Sequence, residues 1–372
     1  MNIVHVIDKL TMGGAQVVVK SIVENDYRDN ELWVYPLRRT DNEIQIQARI
    51  VQQTRNSKFN ISNIFKLKRF IRNNDIQIVH LHLTNSLMIG LLISLFFNSR
   101  KEVKFVYHEH GTILNAVERG SLFMFIYKNL LKCSGKIFDG FIAISGVVQS
   151  SLKRYVPIDK IKLLYNPIDT KRFSNKEKEF RGASFRSENN IGNDKFLIGF
   201  AGRLIPRKGW SLFLKVAEQL IEEKDSVFLI AGVGDDFDQI NDYIKTNKLD
   251  NVKLLGFVSN IESFYSALDL LIVPSINVEP MGLTYLEAMS IGIPVIATNV
   301  PAFNEIITDK SNGLLFNNKD DKSLLKKVRL IRSNNSLRDR LSRKAVASAK
   351  EFSISSYNYK LNEYYLSLLD TN

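Results

Sequence analysis

Short apolar runs with strand character alternate with helical stretches along most of this chain, and that alternation leaves few folds open. NIVHVI (residues 2–7) gives way to GGAQVVVKSIVEN (13–25), whose apolar spacing is helical. IQIVHLH (76–82), VKFVYHEH (103–110) and FDGFIAIS (138–145) are further strand candidates. Such a rhythm predicts a parallel sheet with helices on both faces. It breaks after KLLYNPID (162–169), where residues 174–195, SNKEKEFRGASFRSENNIGNDK, are polar and charged and read as a linker or exposed loop. It resumes at FLIGFAGRL (196–204) and continues through VFLIAGVG (227–234), VKLLGFV (252–258), LDLLIVPS (268–275) and IPVIAT (293–298). A length of 372 residues exceeds one typical core. The expected architecture is α/β, two doubly wound domains in tandem, followed by a helical, tyrosine-rich tail, SISSYNYKLNEYYLSLL (353–369).

Composition narrows the class. Apolar residues make up 45% and charged residues 24%, the balance of a soluble globular protein. The longest apolar run, LMIGLLISLFF (87–97), falls short of the roughly 20 residues a membrane span needs and reads as a buried helix. Cys133 is the single cysteine, which excludes an internal disulfide and suits a reducing compartment. The N-terminus enters a strand directly, so no signal peptide is expected and a cytoplasmic location is. Net charge is +12, and residues 1–170 carry 23 Lys and Arg against 14 Asp and Glu. A basic first half fits an anionic partner, although dispersed surface lysines account for the charge equally well.

In doubly wound folds ligands sit beyond the carboxyl ends of the strands, and those loops hold the unusual residues. FLIGFAGRL leads into IPRKGW, where Arg203 and Lys208 stand five apart among Gly202, Pro206 and Gly209. Two cations in such a loop favour a phosphate group; a solvated turn with incidental charges is the alternative. LDLLIVPS leads towards EPMGLTYLE (279–287). Glu279 precedes a proline and is expected ahead of the helix, with Pro280 in the first turn and Glu287 in the second. The N–H groups of Met281, Gly282 and Leu283 are then expected to form an anion site at the helix N-terminus, with Gly282 permitting close approach. Carboxylates do not bind phosphates but accept hydrogen bonds from hydroxyls. A ligand with both features is a sugar nucleotide, one glutamate holding the donor sugar and the other the ribose. A glycosidase acid–nucleophile pair is the rival reading. It ranks lower because a sugar leaving on a diphosphate needs no general acid where cations stabilise the departing charge.

In the first half, TMGGAQ (11–16) places Gly13 and Gly14 at a strand-to-helix turn, where their N–H groups can meet a phosphate; a plain tight turn is the alternative. In HEHG (108–111) a histidine most simply satisfies the backbone. Alternate strand residues face opposite sides, so His108, Glu109 and His110 are not expected to converge, and no metal site is expected. DDFD (235–238) reads as helix-capping aspartates rather than a metal clamp. No helix-turn-helix, RNP-type or zinc pattern accompanies the charge, which argues against nucleic acid.

GRLIPRKG, AGVGDD, VKLLGFV and VPSINVEPMGLTYLEAMSIGIPVIAT, in that order, resemble the GT4 family of retaining glycosyltransferases. GGAQ, IVHLH, YHEHG, FIAISGVV and YNPID are similar to that family's N-terminal landmarks, so the resemblance spans nearly the whole chain. It implies a GT-B fold, two Rossmann-like domains facing a central cleft, with residues 1–170 binding acceptor and 171–352 binding the nucleotide sugar. Residues 353–372 are expected to pack back on the first domain. The resemblance assigns Glu279 to donor-sugar hydroxyls, Glu287 to the ribose, and Arg203 and Lys208 to the diphosphate in place of a metal. Met281, Gly282 and Leu283 would complete the site through their amides, Gly14 would lie beside the donor phosphates, and His110 would contact the donor sugar. No cofactor is implied. The chain departs from the family in having Met281 where phenylalanine is usual, and Pro301 and Ala302 where a glycine pair is common.

The expected activity is retaining transfer from a nucleotide-diphosphate sugar, UDP-linked, to a glycan or lipid-linked glycan of the bacterial surface. A sugar-nucleotide epimerase or hydrolase of the same fold, or a non-catalytic sugar-nucleotide-binding subunit, remains open. GSLFMFIYKNLLKCSGKIF (120–138) combines an apolar body with Lys128, Lys132 and Lys136 at spacing four, which suits a helix lying in an anionic membrane interface. A helix packed on the sheet with its lysines in water is the other reading.

Overall fold

The computed structural model describes residues 1–11, 13–26, 28–39, 44–51, 61–97, 103–115, 120–276 and 279–370; Met12 of the TMGGAQ stretch lies outside them. The chain divides into two compact units, Met1–Pro167 together with Ile354–Asn372, and Ile168–Ser353.

The first unit holds β1 (Asn2–Ile7), β2 (Glu31–Pro36), β3 (Arg49–Ile50), β4 (Ile78–His82), β5 (Lys104–Glu109), β6 (Gly140–Ala143) and β7 (Ile161–Leu163). They form one parallel sheet in the order β3-β2-β1-β4-β5-β6-β7. The second holds β8 (Phe196–Ala201), β9 (Ser226–Ala231), β10 (Val252–Gly256), β11 (Leu270–Val273), β12 (Val295–Thr298) and β13 (Leu314–Phe316). These are again parallel, in the order β10-β9-β8-β11-β12-β13. Each sheet starts in its middle, winds outward and then crosses to the other side, which is the Rossmann order. The winding reverses between β1 and β4 in one sheet and between β8 and β11 in the other, and ligands bind at the carboxyl ends of such strand pairs.

Strands covered on both faces carry continuous apolar runs rather than alternating ones, which is why NIVHVI and FLIGFA read so plainly. In the first unit Ile3, Ile78, Val106 and Ile142 line one sheet face and pack against Val18 and Ile22 of the helix Gly14–Glu24. The same core takes Tyr357, Leu361 and Tyr365 from the terminal helix Ile354–Asp370. Asn358 of that helix donates to the carbonyls of Ile22 (3.1 Å) and Asn25 (2.9 Å), satisfying acceptors that a helix end leaves open.

The polar stretch 174–195 is not a free linker. It contains the helix Lys178–Glu188, which buries Gly182 and Phe185. A Cβ at Gly182 would lie 2.6 Å from the Ser266 carbonyl, so only glycine permits this approach. Phe185 packs edge-on to Phe264 at 5.8 Å, and Arg186 pairs with Asp269 at 3.0 Å. One small residue and one ring dock a helix whose other faces are charged, a pattern too sparse to register as amphipathic. Among the described residues no helix is long and apolar enough to cross a membrane.

Candidate active site

In the second unit β8 and β11 are hydrogen-bonded neighbours, so the loops at their carboxyl ends meet. Gly209, at φ 73°, lets them press together: a Cβ there would fall 1.8 Å from the Pro274 carbonyl. Lys208 thereby brings its Nζ to 3.0 Å from the Glu279 carboxylate. Arg207 lies 3.5 Å from the same carboxylate, and the Ser275 hydroxyl donates to it at 3.0 Å. Glu279 is only 3% exposed, so this cluster holds a desolvated charge between two cations. Arg207 and Ser275 were not singled out in the sequence, although Arg207 stands beside Lys208 in the same PRKG turn. Arg203 is exposed and makes no ion pair among the described residues.

The helix carrying Glu287 runs over Thr284–Ile291, with Leu283 at its N-cap. Pro280, Met281 and Gly282 therefore precede it, and the expected amides of Met281, Gly282 and Leu283 belong to a loop rather than to the first helical turn. Gly282, the costliest residue to fix in a helix after proline, favours that delayed start. A Cβ at Gly282 would meet only the Tyr285 ring, at 3.5 Å, so space remains above it, while Met281 is buried. Glu287 accepts a hydrogen bond from the Tyr265 hydroxyl at 2.8 Å. Burial pushes its carboxyl up to about 7, against the opposing pull of Tyr265 and of nearby Arg172. Asp236 of DDFD occupies the N-cap position of the helix Phe237–Thr246 but does not cap it; its carboxylate accepts from the Trp210 indole at 2.6 Å.

In the first unit Gly13 is the N-cap of the helix Gly14–Glu24, and a Cβ at Gly14 would meet nothing within 4 Å. A cavity of about 150 Å³ opens at the same sheet edge, lined by Asp8, Leu83, Thr84, Asn85 and Thr112. Leu83 sits at φ 70°, a strained conformation for a leucine, and Asp8 is held by Arg38. His110 is half-buried just past β5, with Nε2 3.0 Å from Nδ1 of His82. Strand alternation does separate Glu109 from the histidines: it takes hydrogen bonds from Tyr127 and the Ile113 N–H. His108 and His110, however, share their face with His5, His80 and His82. His108 does not satisfy the backbone either, since neither of its ring nitrogens has a partner.

Residues 12–172 match the family described as Glycosyltransferase Family 4, and residues 183–347 match Glycosyl transferases group 1. The chain is 26% identical over 336 residues to the O-antigen biosynthesis glycosyltransferase WclY of Escherichia coli, covering 90% of each. It is 25% identical over 273 residues to an E. coli UDP-Gal:alpha-D-GlcNAc-diphosphoundecaprenol alpha-1,3-galactosyltransferase, covering 71% of this chain and 68% of the other. Its fold matches that of Anabaena HepE, crystallised with UDP, with a TM-score of 0.83 at 19% identity over 99% of this chain and 100% of the other. Its relatives include glycosyltransferases of O-antigen and lipopolysaccharide core biosynthesis. The two Rossmann-like sheets and these matches, which together span most of the sequence, make the chain a member of the GT4-type glycosyltransferases of GT-B fold, and an enzyme of sugar transfer.

Proposed function

We propose that the enzyme transfers a sugar from a UDP-sugar, with retention of configuration, to a glycan or lipid-linked glycan acceptor in cell-surface polysaccharide synthesis. The observation that carries this reading is the buried Glu279 carboxylate held by Lys208, Arg207 and Ser275 at the point where the second sheet reverses its winding. In the free enzyme Glu279 is paired with two cations, Lys208 and Arg207. When the diphosphate enters, Lys208, with Arg203 from the solvent side, turns to the phosphates, and Glu279 is released to accept hydrogen bonds from donor-sugar hydroxyls. Glu287 takes the ribose hydroxyls, and the amides of Met281, Gly282 and Leu283 line the space around sugar and distal phosphate. The cations stabilise the charge that develops on the departing diphosphate, so the reaction needs no general acid and no metal at this site. Retention follows from the acceptor hydroxyl attacking on the face the diphosphate leaves, its proton passing to the departing phosphate oxygen as the sugar–phosphate bond breaks.

Incubation with a panel of UDP- and GDP-sugars, with and without cell-envelope acceptors, tests the reading. UDP release only with acceptor is the expected result. Release without acceptor makes the protein a hydrolase, and binding without turnover makes it a subunit.

The acceptor reading extends to the membrane. On the helix Ser121–Ile137 the exposed residues include Leu122, Phe125, Ile126, Lys132 and Lys136, beside Ser121, Asn129 and Cys133, with Lys128 half-buried. The helix Leu83–Ser94 packs against it and exposes Leu92, and Leu95 and Phe96 follow its end in the open. An apolar stripe continued by lysines is the pattern of a helix that lies in an anionic interface. We assign the enzyme a peripheral place on the inner face of the cell membrane, where lipid-linked acceptors reside.

A further inference from the structure

All five histidines of the chain lie on one face of the first sheet. His5 comes from β1, His80 and His82 from β4, and His108 and His110 from β5 and the residue after it. Alternate residues of a strand share a face, and the register pairs His5 with His80 and His82 with His108. The row extends the apolar row of Ile3, Ile78 and Val106 toward the carboxyl edge. Neighbouring rings lie 4.2 Å apart for His80 and His82 and 4.0 Å apart for His108 and His110.

Packing alone does not account for such a group. His5, His80, His82 and His108 are fully buried, and a polar group left unmade in an interior costs about 1–3 kcal/mol. Nε2 of His5, Nε2 of His80 and both ring nitrogens of His108 nevertheless have no hydrogen-bond partner. The contacts that do form orient the rings. Nδ1 of His5 meets Nε2 of His82 at 3.1 Å, and Nδ1 of His80 meets the Tyr365 hydroxyl at 2.5 Å. His5 and His80 are each held through Nδ1 with Nε2 left bare, which is how metal-ligating histidines are presented. His82, engaged at both nitrogens by His5 and His110, can ligate by giving up its contact with His5. Burial keeps these imidazoles in the neutral form a metal requires. One ring nitrogen from each of His5, His80 and His82 lies within 4.8 Å of the other two, and the same holds for His82, His108 and His110.

We propose that His5, His80 and His82 bind one borderline divalent transition metal of the zinc, nickel or copper class, with His108 next to them. An all-imidazole donor set selects such ions. Magnesium and calcium require oxygen ligands, and the nearby carboxylate, Glu109, is turned to the opposite face. The cation ties β1 to β4, the two strands that flank the reversal of the sheet, and through His82 it fixes the ring of His110. The metal meets the donor chemistry expected above only through the contact of His82 with His110.

The test uses the full chain without a polyhistidine tag, stripped with a chelator and titrated with cobalt(II), then zinc. About one equivalent of cobalt should bind with the strong visible bands of a low-symmetry nitrogen-ligated ion, and zinc should displace it and raise the melting temperature. His5→Asn and His80→Asn should each weaken binding at least about tenfold, with folding followed by circular dichroism. X-ray absorption on the zinc-loaded wild type gives a readout that needs no variant and should show imidazole scattering. Only trace uptake, binding as tight as wild type in both variants, or a spectrum lacking imidazole would overturn the proposal.

Discussion

Glu287 has a carboxyl that burial pushes up to about 7, yet the role proposed for it needs the charged form. In the free enzyme it holds a proton below that pH, and ribose hydroxyls, which donate, favour the carboxylate. UDP affinity measured by calorimetry should therefore be level above about pH 7 and fall below it, by up to about tenfold per unit. Because the terminal phosphate of UDP also titrates, Glu287→Gln serves as the reference. The wild type should lose affinity on acidification more steeply than this variant, and parallel profiles would remove Glu287 from the ribose. At Glu279 the expected effect is on the reaction instead. Glu279→Gln keeps the volume and some hydrogen bonds but loses the charge, and initial rates should show transfer down about 100-fold with UDP binding little changed; full activity would refute its role. Both glutamates were legible because a proline and a fixed spacing mark them. Arg207, Ser275 and Tyr265 were not, because their partners come from loops and helices that only the folded sheet brings together.

At the scale of elements, strands buried on both faces were legible as unbroken apolar runs, and the pairing of β8 with β11 then places the candidate loops. The short strands β2, β3, β7 and β13 were missed, since runs of two to six residues carry little periodicity. The helix Lys178–Glu188 hid behind its charge, and the helix bearing Glu287 starts later than Pro280 suggested. The helix Ser121–Ile137 has a consequence of its own. Its exposed lysines at 132 and 136 should each contribute about 1 kcal/mol near an anionic surface. In liposome flotation, Lys128, Lys132 and Lys136 all changed to Glu should release the protein from anionic vesicles, and so should Leu122, Phe125 and Ile126 changed to Ser. Flotation equal to wild type in both would exclude membrane docking through this helix.

For the whole molecule, two sheets of the same winding followed from the repeated βαβ rhythm, whereas the ownership of the terminal helix did not follow from composition. Tyr357, Leu361 and Tyr365 are each at most 4% exposed in the core of the first unit. Burying side chains of this size contributes about 1.5–3 kcal/mol each, a sum comparable to the whole stability of a typical domain. Deletion of residues 354–372 should therefore cost the first unit its fold. Hydrogen exchange should find β1, β4 and β5 unprotected while β8, β11 and β12 keep their protection; unchanged exchange in the first sheet would contradict this.

That division of labour also sets an order in time. The first sheet is synthesised before the second unit, but the side chains that close its core are made only after it. At about 5–20 residues per second, the intervening 186 residues, Ile168–Ser353, occupy the ribosome for roughly 10–40 s. During that interval the second unit can complete its fold while the first waits with an uncovered apolar face. The nascent chain is thus expected to lean on a chaperone at its N-terminal half, and to mature from its middle outward.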